Sequence, residues 1–280
     1  MQEKLGIIAG QGDLPRLIAE YFASVESPYF VVTFEDPAPG WTSNHPSEHH
    51  RYEKAGRVFR ALRREGVTDV VFAGGTSRPK LQVWKFDLGA MKIGARVLRL
   101  LPQGDDALLR GLAEIFEEEG FQMRAAHDLL PDLGVMPGFL GSRKPSDLDR
   151  NDAAKGASIL KVLGSHDVGQ AVVIARGLCL GIEAIEGTDA LLERVAALPE
   201  DLRRIAPPPS GVLLKLPKTG QDRRVDIPTI GVKTVEGAAK AGLSGIVIEA
   251  GGTNLIDRSA TITAADQAGL FLWSVGPDEL

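Results

Sequence analysis

The sequence is poor in the residues that would announce a disulfide, a zinc site or a membrane span. Its 280 residues include one cysteine, Cys179, within the run "GLCLGIEAIEG". A lone cysteine excludes an internal disulfide and a cysteine-based zinc site, and it fits a reducing compartment. No apolar run approaches the roughly 20 residues that a bilayer-crossing helix needs. There is no basic surplus either, and a formal charge of -5 argues against a general nucleic-acid binder. The first apolar strand pattern follows Met1 so closely that no signal peptide is expected, which gives a cytoplasmic reading. Histidines are scarce. Three of the five fall in "HPSEHH" (45–50), a polar stretch expected to be a solvated loop rather than a metal box. No arrangement of Ser, Cys and His carries the local signature of a nucleophilic hydrolase. What is present is ordinary globular chain, 44% hydrophobic and 25% charged, long enough for one large domain or two of usual size.

The first half alternates short apolar runs with helical spacing. "KLGIIAG", "YFVVTFE" and "DVVFAGG" read as strands, and helical patterns lie between and after them, including 89–101 and 105–119. "FQMRAAHDLL" reads as a return to extended chain. Strands that alternate with helices imply a mainly parallel sheet covered on both faces. "PDLGVMPGFLGSRKPSDL" (131–148) is rich in Pro and Gly and has neither period, which predicts an interdomain connection. The expected organisation is an N-terminal Rossmann-like α/β domain over 1–133, a linker over 134–148 and a C-terminal α/β catalytic domain over 149–280. The second domain is predicted from a helix near 149–164, the strands "QAVVIARG", "LCLGIEAIEG", "GVLLKL" and "GIVIEAGG", and further helices from 188 and near 234–242.

Two glycine-bearing strand ends are candidates for gripping phosphate. "IIAGQGDLP" (7–15) offers Gly10 and Gly12 before a helix, and "FAGGTSRP" (72–79) offers Gly74, Gly75, Thr76 and Arg78. Glycines let backbone N–H groups approach an anion, and arginine makes forked, charge-assisted pairs with phosphate. A tight strand-to-helix turn explains the first stretch equally well. The full dinucleotide fingerprint is missing, because no third glycine follows at the required spacing. "IEAIEGTDALL" (182–192) places Glu183, Glu186 and Asp189 around a glycine turn, and Thr188 is expected to cap the helix that follows. The same carboxylates, with Glu249 of "IEAGGTNLIDR", are candidate ligands for a divalent metal. "PKTGQDRRVDIPTIG" (217–231) sets acids and arginines between prolines, as either a solvated turn or a site for metal and phosphate would. "PKLQVWKFDLGAMKIGARVLRLL" (79–101) interleaves Trp84 and Phe86 with basic residues, suited to a membrane surface or to ordinary helix packing.

Taken in order, "IIAGQGDLP", "FAGGTSRP", "GDDALLR", "DVGQAVV", "EAIEGTDALL", "KLPKTGQDRRVDIPTIG", "GIVIEAG" and "LFLW" resemble the LpxI-type UDP-2,3-diacylglucosamine pyrophosphatases of lipid A biosynthesis. The likeness covers nearly the whole chain, and the "EGTDALL" and "VDIPTIG" blocks are its specific parts. It implies two α/β domains joined by a linker with the lipid held between them. It also implies metal-dependent hydrolysis, with Mg²⁺ or Mn²⁺, of UDP-2,3-diacylglucosamine to 2,3-diacylglucosamine 1-phosphate and UMP. Asp226 matches the family's essential acid and is the expected catalytic residue and metal ligand, with Lys215 and Arg224 as catalytic cations and Arg223 and Lys218 nearby. Glu183, Glu186, Asp189 and Glu249 are reserve metal ligands. Substrate contacts are implied for Gly10, Gly12, Gly74, Gly75, Thr76, Arg78, Gln170, Gly187, Thr188, Lys218, Gln221, Thr229 and Lys233. The chain departs from the family pattern at Gly75–Thr76 and at Gly252–Asn254. The implied partners are a lipid-linked nucleotide sugar and the cytoplasmic membrane surface, with no nucleic acid; a homodimer is left open. Two other classes compete: a non-catalytic nucleotide or nucleotide-sugar binding module, and an NAD-linked oxidoreductase, which the incomplete glycine fingerprint disfavours.

Overall fold

The computed structural model describes residues 3–34, 37–75, 88–100, 104–203, 209–218, 220–225, 227–277 and 279–280, with the side chains of 88–92, 105 and 203 excepted. The chain divides into two compact units. One comprises Met1–Leu130 with Asp222–Asp226, the other Pro131–Gln221 with Ile227–Leu280.

In the N-terminal unit the strands β1 (Leu5–Ala9), β2 (Tyr29–Thr33), β3 (Ser47–His49), β4 (Asp69–Ala73) and β5 (Gln122–Met123) form one sheet in the order β3-β2-β1-β4-β5. Every pair in it is parallel. The three central strands read "LGIIA", "YFVVT" and "DVVFA", and such near-continuous apolar runs suit strands buried on both faces. Helices α1 (Leu14–Ser24), α2 (Ala55–Arg64), α3 (Leu88–Leu100), α4 (Asp105–Glu118) and the short α5 (Ala126–Leu129) complete the alternation. Phe59, Phe116 and Phe121 meet in the core beside Leu62 and Val70, with the Phe59 and Phe116 rings 4.9 Å apart at their centroids. Val225, which arrives from far along the chain, belongs to the same cluster.

Two stretches differ from their sequence reading. "HPSEHH" is an edge strand in its middle, not a solvated loop, and its histidines have structural partners. His45 Nδ1 meets the Tyr29 hydroxyl at 2.6 Å, His49 Nδ1 the Thr33 hydroxyl at 3.0 Å, and His50 Nε2 pairs with Glu48 at 3.0 Å. Burial lowers the pKa of His50 in spite of Glu48. "FQMRAAHDLL" is extended only at Gln122–Met123, and His127 lies in α5.

The C-terminal unit holds a mixed sheet in the order β6-β13-β11-β9-β7-β8. Its strands are β6 (Gly138–Phe139), β7 (Ala171–Ala175), β8 (Leu178–Ile182), β9 (Val212–Lys215), β11 (Gly245–Glu249) and β13 (Phe271–Val275). The β9, β11 and β13 trio is parallel, while β7, β8 and β6 run antiparallel to their neighbours. A second, two-stranded sheet pairs β10 (Thr229–Ile230) with β12 (Asn254–Leu255). Helices α6 (Asp147–Gly164), α7 (Gly187–Ala196), α8 (Glu200–Arg203), α9 (Val232–Lys240) and α10 (Arg258–Ala268) accompany these strands.

Residues 134–148, expected as a linker, are built into this unit. Gly138–Phe139 pair with Trp273–Ser274, and the Leu140 amide donates to Leu272 O at 2.9 Å. Ser146 caps α6 in a reciprocal box: its hydroxyl accepts from the Asp149 amide, and its own amide donates to Asp149 Oδ2 at 2.9 Å. A strand two residues long and a cap have no hydrophobic period, so the pattern that reveals longer elements is silent here.

Candidate active site

The two glycine turns of the N-terminal unit are held against each other. The Gly10 amide donates to Ala73 O at 2.7 Å, the Gln11 amide to Gly75 O at 2.7 Å, and the Gly75 amide to Gln11 O at 2.9 Å. The backbones are so close that a Cβ on Gly10 would come within 2.4 Å of Gly75 O. A Cβ on Gly74, whose φ is +87°, would meet Gln11 O at 2.4 Å. The amides of Gly10 and Gly75, expected to cradle phosphate, are therefore occupied within the protein. Gly12, with φ +94° and open space at its Cβ position, begins the turn into α1. Thr76 and Arg78, the remaining candidates of this stretch, lie outside the described residues, as do Trp84 and Phe86. From Ile93 onward, α3 behaves as a packed helix: Ile93 and Val97 rest on the unit's core, and Arg96 pairs with Glu118 at 2.7 Å and with Glu114.

In the C-terminal unit the candidates gather around the carboxyl ends of parallel strands, where ligands bind in open α/β sheets. Lys215 ends β9 and is 9% exposed. Its ammonium donates to Thr229 O at 2.8 Å, joining β9 to the small β10–β12 sheet. Glu249 ends β11, and its amide and Lys215 O both contact the Thr253 hydroxyl at 3.3 Å. Beside them Gln170 donates its amide to Glu183 Oε2 at 2.8 Å and accepts the Leu216 amide at 3.0 Å. The loop after β9 is tied in two places. Lys218 Nζ pairs with Asp167, and the Gln221 side chain accepts the Lys218 amide at 3.0 Å. Lys233, in the first turn of α9, is exposed.

Thr188 does not take the capping role expected of it, and Glu183 has partners within the protein. The Thr188 hydroxyl donates to Glu183 Oε1 at 2.6 Å, so it does not cap α7, which begins at Gly187 behind Glu186. Glu183 is 6% exposed and spends one oxygen on Thr188 and the other on the Gln170 amide. Glu186 accepts the Ala184 amide and pairs with Arg194 at 2.6 Å. Asp189 is exposed on the first turn of α7. Among the described residues no three His, Cys, Asp or Glu side chains are grouped so as to hold a metal ion. The reserve carboxylates thus do not assemble a metal site by themselves, and Asp226 lies outside the described residues.

Arg224 is likewise committed. Its Nε and Nη2 donate to the two oxygens of Asp222 at 3.1 and 2.8 Å, and its Nη1 donates to Glu117 Oε1 of α4 at 2.7 Å. These pairings raise the arginine pKa, with Asp222 the first cause and Glu117 the second. In turn, the guanidinium holds the Asp222 carboxyl below its ordinary value. The fork of the Arg224 guanidinium is thus filled by carboxylates of the protein itself.

Comparison with known proteins assigns the chain. The LpxI N-terminal domain family matches residues 4–133, and the LpxI C-terminal domain family matches residues 136–273. The chain belongs to the LpxI family. A curated relative from Caulobacter vibrioides, "UDP-2,3-diacylglucosamine pyrophosphatase LpxI", is 42% identical over 283 residues, covering 99% of this chain and 99% of that protein.

Within the LpxI sequence blocks, the structure adds residues that pattern reading passes over. Asp167, in "DVGQ", holds Lys218. Asn254, in the departing "GTN" stretch, is buried beside Thr229; its Nδ2 lies 3.5 Å from the Thr229 hydroxyl, and its Oδ1 has no hydrogen-bond partner among the described residues. Glu117 carried no motif at all. A pairing across 107 residues of sequence leaves no local signal.

Proposed function

We propose that this chain hydrolyses the diphosphate of UDP-2,3-diacylglucosamine, releasing 2,3-diacylglucosamine 1-phosphate and UMP in lipid A biosynthesis. The observation that carries the proposal is identity of 42% across 99% of both chains with a relative bearing that activity in its name. In this reading water attacks the sugar-side phosphorus. Its oxygen joins that phosphorus, and the bridging oxygen leaves with UMP. Asp226 is the acid on which the step depends. Lys215, nearly buried at the carboxyl end of β9, carries a cation suited to balancing phosphate charge as the bond breaks. Gln170, Thr229, Lys218 and Gln221 line the same strand ends as substrate contacts. The requirement for Mg²⁺ or Mn²⁺ rests on the family resemblance, with Asp226 as the residue that would hold the ion and the ion supplying Lewis-acid polarisation of the phosphoryl group. The substrate's acyl chains place the reaction at the cytoplasmic face of a membrane. No described helix is long and apolar enough to cross one.

The test is incubation of purified protein with UDP-2,3-diacylglucosamine and Mg²⁺ or Mn²⁺ in ¹⁸O-water. The expected result is UMP without label, label in the sugar 1-phosphate, loss of turnover with EDTA, and loss of most of kcat in Asp226→Ala. Binding without turnover would make the chain a nucleotide-sugar binding module instead. Label in UMP would move the attack to the other phosphorus.

A further inference from the structure

Residues 222–225 leave the C-terminal half of the sequence and become part of the N-terminal unit. Three features hold them there. Val225 is 8% exposed and sits in the aromatic core cluster with Phe59, Phe116 and Phe121. Arg224 reaches Glu117 on α4 and is braced by both oxygens of Asp222. The segment folds on itself as well: the Arg224 amide donates to Asp222 Oδ1 at 3.0 Å, and the Val225 amide to Asp222 O at 3.1 Å.

The facing helix carries a matching charge pattern. Arg110 and Glu117 are seven residues apart, two turns along one face of α4. Asp222 feels the positive charge of Arg110, after the larger influence of its own neighbour Arg224. Arg110 itself pairs with Asp106 one turn away, so the ion pair that joins helix and segment is Glu117 with Arg224. An exposed ion pair alone contributes little. A charge pair beside a buried valine does more, because the apolar contact anchors the backbone while the charges fix its register.

We propose that α4 is a docking rail for residues 222–225, and that Glu117 is a positioning residue that holds this stretch of the loop through Arg224. The proposal rests on the reading of Asp226 as the acid of the reaction. It assigns a purpose to Arg224, whose guanidinium is filled by carboxylates. Misplacing a reacting group by about 1 Å can cost on the order of a hundredfold in rate, so a positioning residue need not touch substrate to matter.

Glu117→Ala tests this with two readouts. Trypsin cleavage after Arg223 or Arg224 should accelerate on the order of tenfold while the urea midpoint of the whole protein stays near the parent's. On UDP-2,3-diacylglucosamine, kcat should fall on the order of tenfold with KM nearly unchanged. Glu117→Gln, which keeps an acceptor for Arg224, should recover most of both properties. Unchanged cleavage, or parental kcat in Glu117→Ala despite faster cleavage, would overturn the rail. Failure of the parent protein to hydrolyse the substrate would instead remove the proposed reaction and the role of Asp226, while the proteolysis result would still report whether α4 holds the segment.

Discussion

At the scale of single residues, neighbours decide what a charged side chain does. Glu183 and Arg224 have the residue types that a metal or phosphate site would use, yet each already has its partners. For Glu183 these are the Thr188 hydroxyl and the Gln170 amide, which leave both carboxyl oxygens bonded in a largely buried setting. Thr188→Val removes one donor without changing shape much, and a buried acceptor stripped of its donor costs about 1–3 kcal/mol. Under the proposed metal-dependent reaction, the variant should unfold at lower urea while needing the same Mg²⁺ concentration for half-maximal activity. A tenfold rise in that concentration at parental stability would return Glu183 to the metal. The residue types of the site were legible in the sequence, but their commitments were not, because the partners of Arg224 and Lys218 lie 107 and 51 residues away.

At the scale of elements, periodicity served where elements were long or fully apolar. The central strands of the N-terminal sheet and helices α2, α4 and α6 follow from pattern alone. The strands β3, β6, β10 and β12 have two or three residues each and exist because a neighbour supplies the hydrogen bonds, so no local period announces them. The glycine turns are the instructive case. Glycine at a strand end suits either an anion cradle or a tight turn, and backbone contact between the two turns accounts for it at Gly10 and Gly74. Gly10→Ala should therefore be costly, because its Cβ would press on Gly75 O, which is backbone and cannot swing away. Overpacking of this kind costs about 1–3 kcal/mol. Gly12→Ala meets open space and loses only the left-handed backbone preference, about 1–2 kcal/mol. Chemical denaturation of both variants checks the order: Gly12→Ala proving the more damaging would mean the turns are not held by their contact.

At the scale of the whole molecule, the family boundary and the physical boundary do not coincide. The LpxI domain matches meet between residues 133 and 136, whereas the N-terminal unit includes residues from the 220s. Composition marks the first break through its prolines and glycines. It cannot mark the second, since "QDRRVD" looks like any polar turn and only Val225 hints at burial. A fragment of residues 1–133 would lack that valine and the carboxylate brace on α4. It should fold with a lower urea midpoint than the same unit in the full chain, and a synthetic peptide spanning 219–229 should raise that midpoint. A fragment as stable alone as in the intact protein, and indifferent to the peptide, would make the segment a passenger.

The returning segment also sets a clock on biosynthesis. Some ninety residues separate Leu130 from Asp222, and at a synthesis rate of roughly 5–20 residues per second the ribosome takes about 5–20 s to deliver the missing piece. For that interval the first-made unit waits with the place for Val225 open beside Phe59 and Phe116. Exposed apolar surface on a nascent chain is where chaperones bind and where neighbouring chains aggregate. The returning loop therefore closes the first core, and slow codons anywhere between the two would lengthen the time that core stands open.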